Sequence, residues 1–338
     1  MVESVRSLRL GPEKHPVFRK VPSIRYVEVE MPNLAQRQRL VLPEIEPSHP
    51  RCHETPEDVR PGGPISPPLA GLNGRGKNRI DFFLAGVQKG GTTALAATLR
   101  RCPFIRLANN KEVHFFDGST RNWDDPDYED YHRWFRPSDP GTVVWGEATP
   151  IYFYLPEALK RIHRYNPDAR FIICLRHPSL RAHSQWRMET ARGNEDWDFS
   201  RAITAEGRSR ILLGDLEARR HSYVERGLYA RQFRHLFSLF PREQVHVLRT
   251  DQLWRESEAS LAGVCSFLNV MRMETDGTPV YHVPHDSRGV GRMLLTDRQY
   301  LDALYRQEIG ETEALTGIDL SDWLDPNYEE PMPPPREV

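Results

Sequence analysis

The stretch from Ile80 to Arg101, IDFFLAGVQKGGTTALAATLRR, restricts the possible folds of this chain more than any other. An apolar run of strand length, Ile80 to Ala85, enters a polar, glycine-bearing turn, Gly86-Val87-Gln88-Lys89-Gly90-Gly91-Thr92-Thr93. Ala94, Leu95, Ala96, Ala97 and Leu99 then read as helix formers. Strand, glycine loop and helix together aim backbone N–H groups and a helix dipole at an anion, phosphate above all. In an ATP-type loop, G-x-x-x-x-G-K-[ST], the lysine directly follows the second glycine. Here Gly86 and Gly91 keep that spacing, but Thr92 and Thr93 follow and the lysine stands earlier, at Lys89. A lysine inside the loop touches the phosphate nearest the strand end and does not extend to a third one. That suits a nucleotide whose single 5′-phosphate carries a group to transfer. The same residues also fit a plain glycine turn between a strand and a core helix, with Lys89 solvated.

The rest of the chain continues the strand–helix alternation. Phe104–Leu107, Thr142–Trp145, Phe171–Leu175 and Val245–Leu248 read as strands, Phe171–Leu175 as a continuous apolar run of the kind buried in a parallel sheet. Helices are expected from Pro156 to about Tyr165, from Pro178 to about Gly193, over Tyr223–Leu239, over Glu258–Leu268, and from an N-cap at Thr296 to Gly317. Trp123–Asp139 reads as a surface excursion with a short helix. The expectation is an α/β fold, a P-loop-containing parallel sheet with helices on both faces and ligands at the carboxyl ends of its strands. The domain occupies 79–325. Residues 1–78, with prolines recurring from Pro12 to Pro68 and a glycine-rich end, read as an extended arm and linker in which Ile24–Val29 and Leu40–Leu42 are candidate edge strands. Residues 326–338 form a proline-rich tail.

With 46 basic and 47 acidic residues the bulk charge gives no reason to expect nucleic acid, so an anion site has to be built locally. Cys52, Cys102, Cys174 and Cys265 lie far apart, without a C-x-x-C pair; they read as small buried residues of a reducing compartment, and zinc ligation is not expected. No apolar run reaches membrane-spanning length and no signal-peptide core opens the chain, which points to a cytoplasmic protein without a transmembrane segment.

Three stretches fall at expected strand ends. The Lys89 loop is one. In Leu175-Arg176-His177-Pro178-Ser179-Leu180-Arg181-Ala182-His183-Ser184, Arg176 ends a strand and Ser184 lies about two helical turns on, roughly 9 Å along the axis. An arginine fork and a hydroxyl so placed suit a second phosphate; equally, Arg176 pairs with a carboxylate and Ser184 bonds to its own helix. The third is Lys111–Asp117, where an extended backbone puts Glu112 and His114 on one face, either able to take a proton from a hydroxyl. A surface glutamate beside a packed histidine is the alternative. Glu147 adds a carboxylate at the same edge.

Together these motifs resemble the sulfotransferases that use 3′-phosphoadenosine-5′-phosphosulfate (PAPS), most closely the heparan-sulfate N- and 3-O-sulfotransferase branch and its soluble bacterial members. GVQKGGTTAL is similar to the family's 5′-phosphosulfate loop, LRHPSLRAHSQW to its 3′-phosphate motif, and KEVHFFDG to the stretch holding its catalytic glutamate; GEATPIYFY, YVERGLYARQF and the Ser287-Arg288-Gly289 loop follow in the family's order, between about Arg79 and Leu324. The resemblance implies that Lys89 contacts the 5′-phosphosulfate and helps the leaving group, that Gly90, Gly91, Thr92 and Thr93 supply loop amides and hydroxyls, and that Arg176 and Ser184 hold the 3′-phosphate. It further implies Glu112 as base with His114 beside it, and an Arg288-Gly289 segment closing over the nucleotide. PAPS would be the donor and 3′,5′-ADP the product, with no metal. The acceptor would be a hydroxyl or amine of a carbohydrate-like, small-molecule or lipid-linked substrate. Ala148 stands where the heparan enzymes carry a lysine, and neither a membrane anchor nor a late disulfide is evident. These departures favour a small or lipid-linked acceptor. A P-loop small-molecule kinase and a non-catalytic nucleotide-binding module are the alternatives; the sequence does not indicate an oligomeric state.

Overall fold

Residues 79–135, 144–271 and 291–331 are described in a computed structural model of the chain, with the backbone of 25–29 and 40–44. The chain divides into two units, Met1–Pro68 and Leu69–Val338. In the first, β1 (Arg25–Val29) and β2 (Leu40–Glu44) pair antiparallel with each other, Val27 opposite Leu42.

The second unit is built on β3 (Phe82–Gly86), β4 (Ile105–Leu107), β5 (Val144–Glu147), β6 (Arg170–Leu175) and β7 (Val245–Arg249), all paired parallel in the order β4-β5-β3-β6-β7. Alternation along the central strands explains why they are apolar throughout. Phe83 and Ala85 of β3, with Phe171, Ile173 and Leu175 of β6, join one core. Phe82 and Leu84, with Ile172 and Cys174, join the other. A strand buried on both faces has no solvent side on which to place polar residues. Helices close each face: Pro156–Tyr165, Tyr229–Leu239 and Leu295–Thr316 contribute to the first core, Thr92–Leu99 and Ser257–Leu268 to the second. Parallel pairing puts every strand's carboxyl end on one edge, so the segments after Gly86, Leu107, Glu147, Leu175 and Arg249 gather there.

Several expected boundaries move. The helix read over Tyr223–Leu239 begins only at Tyr229; a 3-10 turn, Glu225–Gly227, precedes it. The reason is packing: a Cβ at Gly227 would lie 2.6 Å from the Tyr305 ring, and Leu228 leaves helical geometry at ψ 72°. The last helix starts at Leu295, so Thr296 lies inside its first turn and is not the N-cap, while Gly317 closes it at φ 69° as read from the sequence. The helix from Pro178 ends at Ala191, two residues before Gly193 at φ 72°. The short helix in the acidic excursion is Tyr128–His132. Cys102 and Cys174 are buried free thiols, Cys265 is buried, and Cys52 lies outside the described residues. No helix among the described residues is long and apolar enough to cross a membrane.

Candidate active site

The glycine loop sits at the carboxyl end of β3, anchored from both sides. The Val87 N–H donates to the Cys174 carbonyl of β6 at 3.0 Å, and the Thr250 hydroxyl lies 2.8 Å from the Gly90 carbonyl and 2.9 Å from that of Leu175. Gly90 is a packing residue: its N–H donates to Val87 O at 2.9 Å, and a Cβ there would lie 2.3 Å from Cys174 O. Its amide, which the sequence reading gives to an anion, holds this turn hydrogen bond. Gly91, at φ 83°, makes the turn into the helix Thr92–Leu99; Thr92 is buried and Thr93 half-buried in its first turn.

Lys89 itself is left-handed, at φ 71°. Among the described residues only four non-glycines have positive φ: Lys89, Glu112, His114 and the helix-ending Asn269. Backbone held in this sparsely populated region is characteristic of sites where function over-determines the geometry. Lys89 is held down to about pKa 8, by burial first and then by the charges of Arg176, Arg192 and Lys111, with Glu112 pulling the other way. Donor loop and carboxylate thus sense each other across a cluster of cations.

The Lys111–Asp117 segment is not the extended strand that would put Glu112 and His114 on one face. It is irregular, with Glu112 at φ 65° and His114 at φ 56°. The two side chains nonetheless meet, His114 Nε2 lying 3.6 Å from Glu112 Oε2. Lys111 pairs with Glu112 on its other side, and His114 Nδ1 lies 2.8 Å from Asp117 Oδ2. Burial opposes charge on Glu112, but the hydrogen bond with His114 and the Lys111 ammonium hold its pKa down at about 2. Asp117, then Glu112, raise His114 to about 9 against burial. At neutral pH the imidazole is therefore protonated and the glutamate ionised, which makes Glu112 the group able to accept a proton.

Asp117 has a second grip. Arg219 donates from NH1 to its Oδ2 at 2.6 Å and from NH2 to its backbone carbonyl. Arg226 in turn donates to the Arg219 carbonyl at 2.6 Å and to Gln88 Oε1 in the donor loop. Asp117 and Arg226 lie within motifs read from the sequence, KEVHFFDG and YVERGLYARQF, without a role assigned; Arg219 carried no signal, since only the fold brings it onto a residue 102 positions away. Glu147 is a scaffold group. It is fully buried and accepts from Tyr131 (2.5 Å), Thr149 (2.6 Å) and Tyr152 (2.8 Å), with burial raising its pKa.

Arg176 stands at the end of β6, its NH1 donating to the Lys89 carbonyl at 3.2 Å, and Ser184 lies half-buried on the helix that follows. The Arg176 fork pairs with a carboxylate, as the alternative reading of the sequence had it: Nε and NH2 bind Glu330, which that reading did not name, at 2.5–3.0 Å. Arg288 and Gly289 lie outside the described residues.

Comparison with known proteins bears on this arrangement. A profile of the Sulfotransferase family matches residues 127–274. Human heparan sulfate glucosamine 3-O-sulfotransferase 6 is 33% identical over 221 residues, 64% of this chain and 59% of that protein. The human 3-O-sulfotransferase 3B1 is 31% identical over 228 residues, 66% of this chain and 55% of that protein. The chain thus spans under two thirds of the length of these relatives. A sulfotransferase from Alicyclobacillus acidocaldarius superposes with a TM-score of 0.59 at 27% identity, covering 73% of this chain and 99% of the other.

Proposed function

The chain belongs to the sulfotransferase family, and we propose that it moves the sulfuryl group of PAPS to a hydroxyl of a carbohydrate-like acceptor. The observation that carries this reading is the meeting of two strained positions at one sheet edge. Lys89, in a loop built for an anion, neighbours Gln88, which is joined to the Glu112 turn through Arg226, Arg219, Asp117 and His114, and Lys89 and Glu112 are both left-handed. Lys89, Lys111, Arg176 and Arg192 bring to that edge the cations that a bisphosphate and a sulfonate call for, Lys111, Arg176 and Arg192 each paired with a glutamate that an anionic ligand competes with.

In this mechanism the acceptor oxygen attacks sulfur in line with the bridging oxygen of the 5′-phosphate. A new O–S bond forms while the old one breaks, and its electron pair leaves with the phosphate. Lys89 and the amides of the loop and first helical turn stabilise that charge. Glu112 takes the acceptor's proton. His114, held protonated by Asp117, keeps the Glu112 carboxylate oriented and ionised. Arg176 and Ser184 hold the 3′-phosphate that distinguishes this donor from ATP. The named relatives act on glucosamine hydroxyls of heparan sulfate, which supports a sugar-like acceptor here. The free buried thiols of Cys102 and Cys174 fit a cytoplasmic setting.

Isothermal titration tests the reading directly. The protein should bind 3′,5′-ADP without added metal and should not bind ATP with Mg²⁺ comparably. Preference for ATP·Mg²⁺ would replace this reading with a P-loop kinase. A screen of sugar, phenol and lipid-linked acceptors with labelled PAPS then identifies the acceptor.

A further inference from the structure

We propose that Glu330 is an internal competitor for the 3′-phosphate subsite: a strap near the carboxyl end of the chain yields Arg176 when the nucleotide binds and reclaims it as 3′,5′-ADP leaves. The inference rests on the proposed role of Arg176 as a 3′-phosphate ligand.

The carboxylate sits on the arginine as a phosphate would. Arg176 Nε donates to both Glu330 oxygens, at 2.8 and 3.0 Å, and NH2 donates to Oε2 at 2.5 Å. This is the side-on, two-nitrogen grip that a guanidinium offers to carboxylate and phosphate alike. The remaining nitrogen, NH1, is tied to the Lys89 carbonyl, so the fork is fixed against the donor loop while Glu330 holds it. The pair is also shielded, with side chains 23% and 16% exposed, unlike a solvated surface contact of little consequence.

Glu330 is delivered there by a built strap. The 3-10 turn Ser321–Leu324 is pinned where Arg249 NH2 meets Asp322 at 2.6 Å, and Trp323 is buried beneath it. The Trp323 carbonyl lies 3.2 Å from His177 Nε2, and the Tyr328 ring stacks on His177 with centroids 5.2 Å apart. His177 is the neighbour of Arg176, so the anchor and the subsite share one strand end. Beyond Tyr328, by contrast, the backbone to Glu330 has no regular structure. The strap therefore has a fixed base and a tip that can lift.

The exchange makes chemical sense in both directions. Without nucleotide, Glu330 prevents a partly buried guanidinium from standing unpaired. With nucleotide, a dianionic phosphate brings more charge and more acceptor oxygens than one carboxylate, and it displaces Glu330. A waiting carboxylate also shortens the stay of the bisphosphate product, whose release is a common limit on turnover.

Titration of the full chain with 3′,5′-ADP and with 5′-AMP, for wild type and Glu330→Gln, decides the matter. Glutamine keeps the shape but loses the charge, so the variant should bind 3′,5′-ADP about tenfold more tightly, the scale of one charge-assisted hydrogen bond. Its affinity for 5′-AMP, which leaves the Arg176 fork alone, should not change. Equal or weaker binding of 3′,5′-ADP by the variant overturns the proposal; weaker binding would mean that Glu330 holds the arginine in place for the phosphate. A wild-type chain that binds the two nucleotides equally fails earlier and differently, since it removes the 3′-phosphate role of Arg176 and the competitor with it.

Discussion

The donor loop and the acceptor-side turn face each other across one sheet edge, yet they are held by different means. The donor groups hang on backbone. Lys89 follows β3 and Arg176 follows β6, two strands buried on both faces, and the loop is fastened by the Val87 N–H to the Cys174 carbonyl and by the Thr250 hydroxyl set between the Gly90 and Leu175 carbonyls. The acceptor groups hang on side chains. The Glu112 N–H does reach the Ala148 carbonyl at 2.9 Å, but Phe115 and Phe116 donate their N–H groups to the Tyr152 hydroxyl, and Asp117 is gripped by Arg219. Backbone anchoring tolerates single substitutions, whereas a side-chain network loses several contacts when one member goes. Donor binding should therefore be robust and proton removal fragile, a contrast that substitutions on each side can break.

The largest expected effect is on the acceptor side. Glu112→Gln keeps shape but cannot accept a proton, so single-turnover transfer at saturating PAPS should fall by about 10²–10⁴. Its affinity for 3′,5′-ADP should stay near wild type. His114→Ala should retain part of the activity, because the protonated imidazole orients Glu112 instead of replacing it. Near-normal transfer by the glutamine variant with an inactive histidine variant would reverse the two roles. On the donor side, Lys89→Ala should lose about 10²–10³ in turnover and weaken 3′,5′-ADP binding as well. The lysine meets the donor in ground and transition states alike. Rate loss without loss of nucleotide affinity would place Lys89 with the acceptor machinery and erase the division.

Tyr152 tests the scaffold beneath the acceptor turn. Its hydroxyl accepts from Phe115 and Phe116 and donates to buried Glu147. Tyr152→Phe should destabilise the domain by about 1–3 kcal/mol through the unpaired polar groups it leaves, measured by denaturant unfolding. Transfer should fall while nucleotide binding holds, if the turn depends on this hydroxyl.

The same contrast decided what could be read from the sequence. The donor half is written in local pattern: an apolar run, glycines at set spacing, helix formers, then a second apolar run ending in Arg176. Pattern of that kind determines both element and register, so Lys89 and Arg176 fall where the spacing put them. The acceptor half is written in contacts. KEVHFFDG marks the segment, but nothing local says that Glu112 and His114 are left-handed or that Arg219 closes on Asp117 from 102 residues away. Glu330, 154 residues from the donor-side arginine it holds, had no local signal either. Periodicity likewise carried the helix ending at Leu239 back to Tyr223, because it cannot see the Tyr305 ring lying against Gly227.

The smallest effect, and the one that separates the halves without mutating either, is the pH profile. Glu112 is held at about 2 and stays ionised over the whole working range, so no acid limb should appear near the usual carboxylate range. Lys89 at about 8 and His114 at about 9 are both active as cations. The sign is the same for each: function is full below its pKa and declines as pH rises through it. Turnover should therefore be flat from pH 5 to 7 and fall by about tenfold for each pH unit above the controlling pKa. Nucleotide binding reports the donor side alone, so it should weaken through about pH 8 with no further change tied to His114. Asp117→Asn removes the largest influence raising His114. It should pull the alkaline limb of transfer toward neutrality while leaving the limb of 3′,5′-ADP binding where it was. If both limbs move together, the two halves of the site are one electrostatic unit and their separate anchoring has no functional consequence.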